Sequence, residues 1–285
     1  MKRLFGVFAA IMMAALPLAA ESASEAVSRE VKSFDVDNFD ALDVSWIYKV
    51  ELTQSRNQSV TIEAPDFIMD YLDVKVRKSR LILSVRDMPA SIRRKVETGK
   101  YEVLATVSMK KLSSLEMSGA SKLFANGQFH SNNDIFRMEL SGASSVKDLY
   151  VIADNADLDC SGASKFDLKG KLKDVKLALS GAAKADIYSD IKSINMDISG
   201  AGKITMNGTV GDLLLSGSGA AKIDMLDCPV LWADVDLSGA SKASIEVHET
   251  LKIRASGAST LTYKAGDKLQ ILDTDVSRGA TLRRL

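Results

Sequence analysis

The feature that most constrains this chain is a five-residue phrase, Ser-Gly-Ala-Ser-Lys, which recurs with small variations through its second half. Counted from one leading serine to the next, the copies are 23, 20, 19, 19, 19, 20 and 18 residues apart. A near-constant period of this length is typical of solenoids, in which each repeat forms one coil that stacks on the next. The eight copies occupy residues 118–122, 141–145, 161–165, 180–184, 199–203, 218–222, 238–242 and 256–260.

The residues that flank each phrase alternate between apolar and polar, as in a β-strand with one buried face. The first and third residues before the leading serine are nearly always apolar, and the residue between them is mostly polar. Apolar residues resume at the fifth and seventh places after that serine, for example at Phe166 and Leu168. Each repeat is therefore predicted to be a strand, a Gly-Ala corner, a second strand and a polar corner. The apolar pairs before the serines are Leu115/Met117, Met138/Leu140, Leu158/Cys160, Leu177/Leu179, Met196/Ile198, Leu215/Gly217, Val235/Leu237 and Ile253/Ala255.

Each phrase has a glycine at its second place, which suits a sharp backbone bend, including one with a positive φ that a Cβ would disfavour. One coil of about 19 residues buries too few apolar side chains to offset the entropy of ordering it, so the coils must stack. We predict an all-β fold dominated by a parallel single-stranded β-helix, roughly 34 Å long over seven steps of about 4.8 Å. The predicted corner glycines are Gly119, Gly142, Gly162, Gly181, Gly200, Gly219, Gly239 and Gly257.

The chain begins with a segment typical of a secretory signal. Met1-Lys2-Arg3 precedes an apolar run over residues 4–20, which is too short for a comfortable transmembrane helix. We expect cleavage near Ala20, which leaves an extracytoplasmic chain (periplasmic, at the cell surface or secreted) without a transmembrane segment. Loss of Lys2 and Arg3 changes 37 basic and 37 acidic residues to 35 and 37. A net charge near −2 argues against a nucleic-acid binder, which should show a strong basic excess.

The pattern divides the chain into a signal at residues 1–20, a flexible leader at 21–31, an N-terminal β region at 32–115 and the repeat β-helix at 116–285. The N-terminal region has no Ser-Gly-Ala phrase, and the sequence leaves open whether it is a separate cap or a set of irregular early coils. The sequence also leaves the oligomeric state of the protein open.

Within the N-terminal region, alternating apolar residues predict a strand over residues 42–52, and further strands over 60–63, 74–76, 81–85 and 101–109. A short helical stretch is predicted at residues 65–72. Residues 86–100, which include Arg93, Arg94 and Lys95, are predicted to form an exposed loop.

The two cysteines are predicted not to pair, although the expected compartment permits disulfides. Cys160 occupies an inward strand position, and Cys228 falls in a corner before Pro229. They lie more than three coils apart, or roughly 14 Å along the axis, which is too far for a disulfide.

Six lysines occupy the fourth place after the leading serines, with Ser145 and Thr260 interrupting the series. Stacked coils would bring these ammonium groups into one column. One interpretation is a solvated face, neutralised by Asp167, Asp186 and Asp224, that discourages edge aggregation. The other is a binding ridge for an anionic glycan or another surface polyanion. The lysine column comprises Lys122, Lys165, Lys184, Lys203, Lys222 and Lys242.

Carboxylates form a second series on the outer side of the strand that leads into the corner. Asp159 and Asp197, or Asp197 and Asp236, are two coils apart, which gives about 9.6 Å and approaches the spacing that inverting glycosidases need. Nothing in the sequence raises the pKa of one carboxyl above that of its partner, so an enzyme is the least favoured interpretation. The acidic column comprises Glu116, Glu139, Asp159, Asp197 and Asp236.

The remaining candidates favour structural roles. A serine nucleophile needs a base, and His130 and His248 are each isolated in the sequence; corner hydroxyls are more consistent with hydrogen bonds to the backbone. Trp46 and Trp232 could stack on a sugar, but their apolar strand context favours core packing. The sequence has no metal-ligand cluster, phosphate loop or nucleotide fingerprint, so we expect no metal, no cofactor and no catalytic residues.

Three segments carry a family resemblance, namely Phe39-Asp40-Ala41-Leu42-Asp43-Val44, Val50-Glu51-Leu52-Thr53-Gln54 and Ser59-Val60-Thr61-Ile62-Glu63-Ala64. With the Ser-Gly-Ala repeats and the closing turns around residues 263–267 and 276–281, they resemble the DUF2807 family, the auto-transporter adhesin head GIN domain of secreted Bacteroidetes proteins. The resemblance spans roughly residue 32 to the C-terminus. It implies a right-handed single-stranded β-helix exported to the envelope, with a role in adhesion. Arg278 stands where the closing phrase would have a corner glycine.

Three functions are compatible with these observations. The favoured one is a non-catalytic surface module that binds cell-surface or glycan ligands, because a rod with repeated columns offers a long face and no evident reaction site. The second is a structural or partner-docking component of the cell envelope that contacts envelope proteins. The third is a carbohydrate-active enzyme, lyase-like or hydrolase-like, that uses the acidic column.

Overall fold

The protein is described by a computed structural model over residues 27–277 and 279–285. The predicted signal and the leader as far as residue 26 lie outside these residues. In the described part, 22 strands form one sheet, accompanied by helices α1 (Asp66–Met69) and α2 (Ala90–Glu97) and a 3-10 turn (Asn132–Asp134). The first eleven strands are β1 (Arg29–Phe34), β2 (Ala41–Val44), β3 (Tyr48–Gln54), β4 (Ser59–Pro65), β5 (Leu72–Arg77), β6 (Arg80–Val85), β7 (Val103–Met109), β8 (Ser114–Met117), β9 (Lys122–Asn126), β10 (Gln128–His130) and β11 (Ile135–Leu140). The others are β12 (Ser145–Cys160), β13 (Lys165–Leu179), β14 (Lys184–Tyr188), β15 (Ile191–Ile198), β16 (Lys203–Asn207), β17 (Val210–Gly217), β18 (Lys222–Leu237), β19 (Lys242–Ala255), β20 (Thr260–Ala265), β21 (Gln270–Val276) and β22 (Thr281–Arg284).

Residues from β8 onward wind into a β-solenoid, as the repeats predicted. Strands one coil apart pair in parallel, so that β15 lies between β13 and β17, and β14 lies between β13 and β16. Residues at equivalent places in the phrase therefore lie directly beside one another. Inward side chains of every coil join one continuous hydrophobic core, which includes Phe166, Ile194 and Leu215.

The eight predicted corner glycines do form a stack, and all have a φ between +68° and +72°. From Ala143 to Ala258, the amide of the alanine after each corner glycine donates to the carbonyl of the glycine one coil earlier, at 2.6–2.7 Å. The stack is longer than the eight phrases. Trp46 (φ 72°) lies below Gly119, and Gly279 (φ 97°) lies above Gly257.

The N-terminal region supplies early coils and also covers the end of the stack. Strands β2 and β3 form the coil directly below β8 and β9. Strands β6 and β7 then pair in parallel on the other side of β2 and β3, so a later part of the chain forms the outermost coil. Antiparallel pairs close this end, because β5 pairs with β6, β4 with β7 and β1 with β4.

Three expectations for this region need correction. The last three residues of the expected leader, 29–31, belong to β1, because this segment hydrogen-bonds along β4. The predicted strand over residues 42–52 is broken at Trp46, whose positive φ turns the chain between β2 and β3. The expected loop at 86–100 contains α2, which buries Val96 against the core.

Both cysteines are free, as predicted, and both are buried. Cys228, however, does not lie in a corner. It is a buried residue of β18, where the pairing with β19 shifts between Met225 and Pro229. Burial raises the pKa of each thiol, Cys160 and Cys228, to about 12.

Candidate functional site

The lysine column is continuous in the structure. Lys165, Lys184, Lys203, Lys222 and Lys242 are directly paired in five successive coils, and Ser145 separates Lys165 from Lys122. All six lysines are exposed. At one coil per about 4.8 Å, the uninterrupted part extends roughly 19 Å.

The column also includes a seventh lysine that the sequence interpretation missed. Lys49 pairs with Lys122 and extends the column into the coil of β3. A signal for it was present, because Ser45 and Lys49 have the same separation as the first and last residues of the phrase. Trp46 occupies the glycine position, so a search for Ser-Gly-Ala could not find it.

The acids expected to neutralise the column do not contact it. Asp167, Asp186 and Asp224 lie in the adjacent outer column, in register with one another through Thr205. Over residues 27–277 and 279–285, none of the six predicted lysines lies within 4.0 Å of a carboxylate oxygen. Lys49 reaches Glu102 at 4.0 Å. The six predicted lysines therefore form a line of like charges with no carboxylate of the described residues at ion-pair distance, and the nearest acidic column lies two residues along the same strands.

An outward aromatic ring lies beside the lower end of the column. Phe124 is half-buried, and the Nζ atoms of Lys49 and Lys147 lie 5.9 Å and 5.7 Å from its ring centroid. A surface cavity of about 430 Å³ is lined by this ring, Lys49 and polar residues that include Glu51 and Asn126. An apolar face flanked by ammonium groups can contact both the carbon skeleton and the acidic group of a ligand.

The acidic column is also in register, but its members have different surroundings. Glu116, Glu139 and Asp159 follow one another in adjacent coils, and Asp43 of β2 precedes them. These four carboxylates line a cleft of about 270 Å³ together with the leading serines of three coils. Farther along, Ala178 and Ser216 separate Asp159, Asp197 and Asp236.

The pKa of the Asp43 carboxyl departs from its ordinary value. Burial raises the pKa of the Asp43 carboxyl, the neighbouring Glu116 raises it further, and Arg80 partly opposes both effects. Arg80 forms an ion pair with Glu116, and Arg254 forms ion pairs with Asp234 and Asp236 at 2.7 and 3.4 Å. Arginine side chains thus form ion pairs with acids at both ends of the column.

Several corner hydroxyls bond to the backbone, as expected, whereas the buried Ser144 Oγ and Ser164 Oγ have no hydrogen-bond partner among the described residues. Ser121 Oγ donates to the carbonyl of Ser118 at 2.9 Å, and Ser241 Oγ donates to that of Ser238 at 2.8 Å. His248 Nε2 lies 2.9 Å from Glu246 Oε1. Among the described residues, no serine hydroxyl forms a hydrogen bond with either histidine, so the serines and histidines do not assemble a nucleophile and base.

Trp232 does not pack in the core, in contrast to the expectation for it. A register shift between Val230 and Trp232 places Leu231 and Trp232 consecutively on the outside. Lys252 Nζ lies 5.6 Å from the centroid of the Trp232 ring. Trp46 does pack against the core, but from a corner rather than from a strand.

A family model described as "Putative auto-transporter adhesin, head GIN domain" matches residues 38–189 and 187–266, which is well over half of the chain. The protein belongs to the DUF2807 family. A comparison with curated proteins found no match.

Solved structures share the fold of this DUF2807 protein at low sequence identity. A putative adhesin from Parabacteroides distasonis has a TM-score of 0.67 at 14% identity, with 90% of this chain and 97% of the other covered. A putative adhesin from Parabacteroides merdae has 0.63 at 15%, covering 90% and 96%. A putative lipid binding protein from P. distasonis has 0.60 at 15%, also covering 90% and 96%. These similarities establish the architecture.

Two further features bear on the site. Within residues 27–277 and 279–285, the DUF2807 protein has no group of three or more His, Cys, Asp or Glu side chains placed to hold a metal ion. No helix in the same residues has the length and apolarity to cross a membrane.

Proposed function

We propose that this DUF2807 protein is a non-catalytic, extracytoplasmic binding module whose lysine column holds an anionic glycan or a similar surface polyanion. The observation that carries the proposal is the uninterrupted register of Lys165, Lys184, Lys203, Lys222 and Lys242 without close carboxylates. The extracytoplasmic location rests on the signal-like start of the sequence, with cleavage near Ala20. The family description of an adhesin is consistent with both parts.

The physical basis is the field of a charged line. Ammonium groups spaced by about 4.8 Å repel one another, and an extended polyanion relieves that repulsion while it gains attraction at each step. Exposed charges act within a Debye length of roughly 8 Å at physiological salt. Several neighbouring lysines therefore contribute to each bound acidic group, and affinity should fall as ionic strength rises.

Replacement of Lys184, Lys203 and Lys222 by serine tests the proposal, because Ser145 already occupies the same column. At about 0.5 kcal/mol for each exposed pair, the triple variant should bind an anionic polysaccharide about tenfold more weakly. Heparin serves as the first probe, with a neutral dextran for comparison, at two salt concentrations. The variant should also show a weaker salt dependence than the parent.

A matched control removes three lysines from other outer positions. Lys171, Lys176 and Lys192 are exposed and lie outside the column, so their replacement by serine changes net charge equally. Retained binding in this control and reduced binding in the column variant support a specific ridge. Equal binding by both variants and the parent, or no binding by any of them, rejects the ridge.

The acidic cleft favours a second candidate, a carbohydrate-active enzyme. Asp43 has a raised pKa and lies beside three further carboxylates, a combination that could supply a proton donor next to an ionised partner. Turnover of polysaccharides that is abolished by Asp43→Asn, with Asp197→Asn as a control outside the cleft, would favour this candidate. The third possibility is a partner-docking component of the envelope. It predicts that a partner protein binds equally well after substitutions in the lysine column or the acidic column.

A further inference from the structure

The two ends of the solenoid differ. At the N-terminal end, the outermost coil is followed by antiparallel strands and by α1 and α2. At the other end, β21 pairs with β19 and β22 pairs with β20, and no other described strand lies along their second edges. Two adjoining strands therefore present free backbone groups at one end of the rod, which makes them templates for pairing.

Apolar side chains accompany these free edges. Ile271 continues an inward column from the buried Leu251, yet it is 43% exposed because no coil covers it. Leu272 is 59% exposed. Val276 and Leu282 continue the inward columns of Ala255 and Leu261. Arg284 continues the inward column of Tyr263, so this end presents the cross-section of a core that carries one basic side chain.

The charges of the two strands are complementary. On the outer face, β21 carries Asp273 and Asp275, in register with Lys252 and Arg254. Strand β22 carries Arg283 on its outer face, in register with Thr262. One edge strand is therefore acidic and the other basic, within the same coil.

We propose that this end binds a second copy of the chain, so that β21 of each copy pairs antiparallel with β22 of the other. A two-fold axis at the Gly279 corner relates the two coils. In antiparallel pairs, residues directly opposite share a face. Centred on Gly279, this rule places Asp275 opposite Arg283 of the other copy on the outside, and Val276 opposite Leu282 on the inside.

The match on both faces favours a second copy over an unrelated protein. A two-fold interface requires one surface to be self-complementary, with each contact made twice. In this one register Val276 lies opposite Leu282, Asp275 lies opposite Arg283, and the free backbone groups of β21 and β22 face each other. The proposal goes beyond the proposed ligand binding and does not depend on it.

The test uses charge reversal with rescue in the full secreted chain. Sedimentation equilibrium should show a concentration-dependent dimer for the parent. Arg283→Asp and Asp275→Arg should each weaken it by about tenfold or more, because each puts like charges opposite one another at two symmetric places. An equimolar mixture of the two variants should dimerise again, since every opposed pair is then of opposite sign.

Lys192→Asp, an exposed change on a central coil, is the control and should leave the dimer intact. Amide exchange provides an independent measurement, because the amides of β21 and β22 should become protected as concentration rises. A parent that sediments as a monomer throughout the accessible range overturns the proposal. The proposal is also overturned if neither single variant weakens the dimer, or if the mixture of the two variants does not form a dimer. Dimer formation in the mixture shows in addition that both variants remain folded.

Discussion

Gly200 shows what the corner requires of a residue. Its φ is +68°, and a Cβ at this position would lie 2.7 Å from the carbonyl oxygen of Gly181 in the neighbouring coil. Conformation and space therefore both exclude larger residues. Trp46 occupies the first corner, and the chain between β6 and β7, which pair with β2 and β3 on the outer side, contains α2 in place of a Ser-Gly-Ala corner.

The two requirements can be separated with a pair of substitutions. Gly99 also has a positive φ, +74°, but nothing lies within 4 Å of the place where its Cβ would be. We expect Gly99→Ala to lower the free energy of unfolding by about 1 kcal/mol through backbone strain alone. Gly200→Ala should lower the free energy of unfolding by about 3 kcal/mol, because the added Cβ must also push this corner away from the corner of the neighbouring coil. Urea denaturation measures both values, and equal losses would contradict the close-approach argument.

Single residues also show where the sequence was insufficient. The glycine positions and the inward alternation followed from local geometry, and both are confirmed. Trp232 and Cys228 were misplaced because β18 contains register shifts. Such a shift changes which side chains face inward, and the alternation of apolar residues in the sequence does not reveal it. The raised pKa of Asp43 was not foreseen because it depends on burial and on a partner in a distant segment.

At the scale of elements, the order of the first coils was the least predictable feature. Strands β6 and β7 lie outside β2 and β3 although they follow them in the chain. The alternation of each strand was visible, but which strands pair was not. Helix α2 was missed because half of its residues are charged. It is held by Lys95, whose Nζ lies 4.1 Å from the Phe67 ring centroid, and by the burial of Val96.

Cross-strand pairing of β2 with β8 gives a pH-dependent prediction. Asp43 lies opposite Glu116, and burial and this neighbour raise the folded-state pKa of Asp43. The folded state therefore binds this proton more tightly than the unfolded state does. As the pH rises from about 3.9 through the raised folded-state pKa of Asp43, the free energy of unfolding of the protein falls. Asp43→Asn mimics the protonated form and should stabilise the protein more at pH 7 than at pH 3.

Thermal unfolding of parent and variant at several pH values measures the effect. Asp197→Asn is the matched control, because its neighbours in the column are Ala178 and Ser216. A difference between parent and Asp43→Asn that stays constant with pH would contradict the assigned cause.

At the scale of the whole molecule, one core runs through all coils, and each coil is stabilised mainly by its two neighbours. The repeat period, together with the strand alternation and the corner glycines, predicted this architecture. The asymmetry of the ends was not predictable, because it depends on antiparallel pairs that the repeats do not encode. Stability should accordingly be graded along the rod.

Hydrogen exchange at low protein concentration should reveal this gradient. We expect the slowest amide exchange in β13, β15 and β17, which have a parallel neighbour on each side. Strands β21 and β22 should exchange fastest among the solenoid strands, because they lie at an uncovered end. Uniform protection along the rod would instead indicate that the molecule opens only by global unfolding.

The corner stack also makes the length of the molecule adjustable. Successive coils are joined there by backbone hydrogen bonds between a glycine carbonyl and an alanine amide, and the core columns contain similar apolar residues in every coil. A second copy of residues 180–198 inserted after residue 198 would therefore add one coil, about 4.8 Å of length and one further member of the lysine column, and every column would keep its alignment. Duplication of a 19-residue unit is thus a direct genetic route by which such a protein changes its reach in fixed increments.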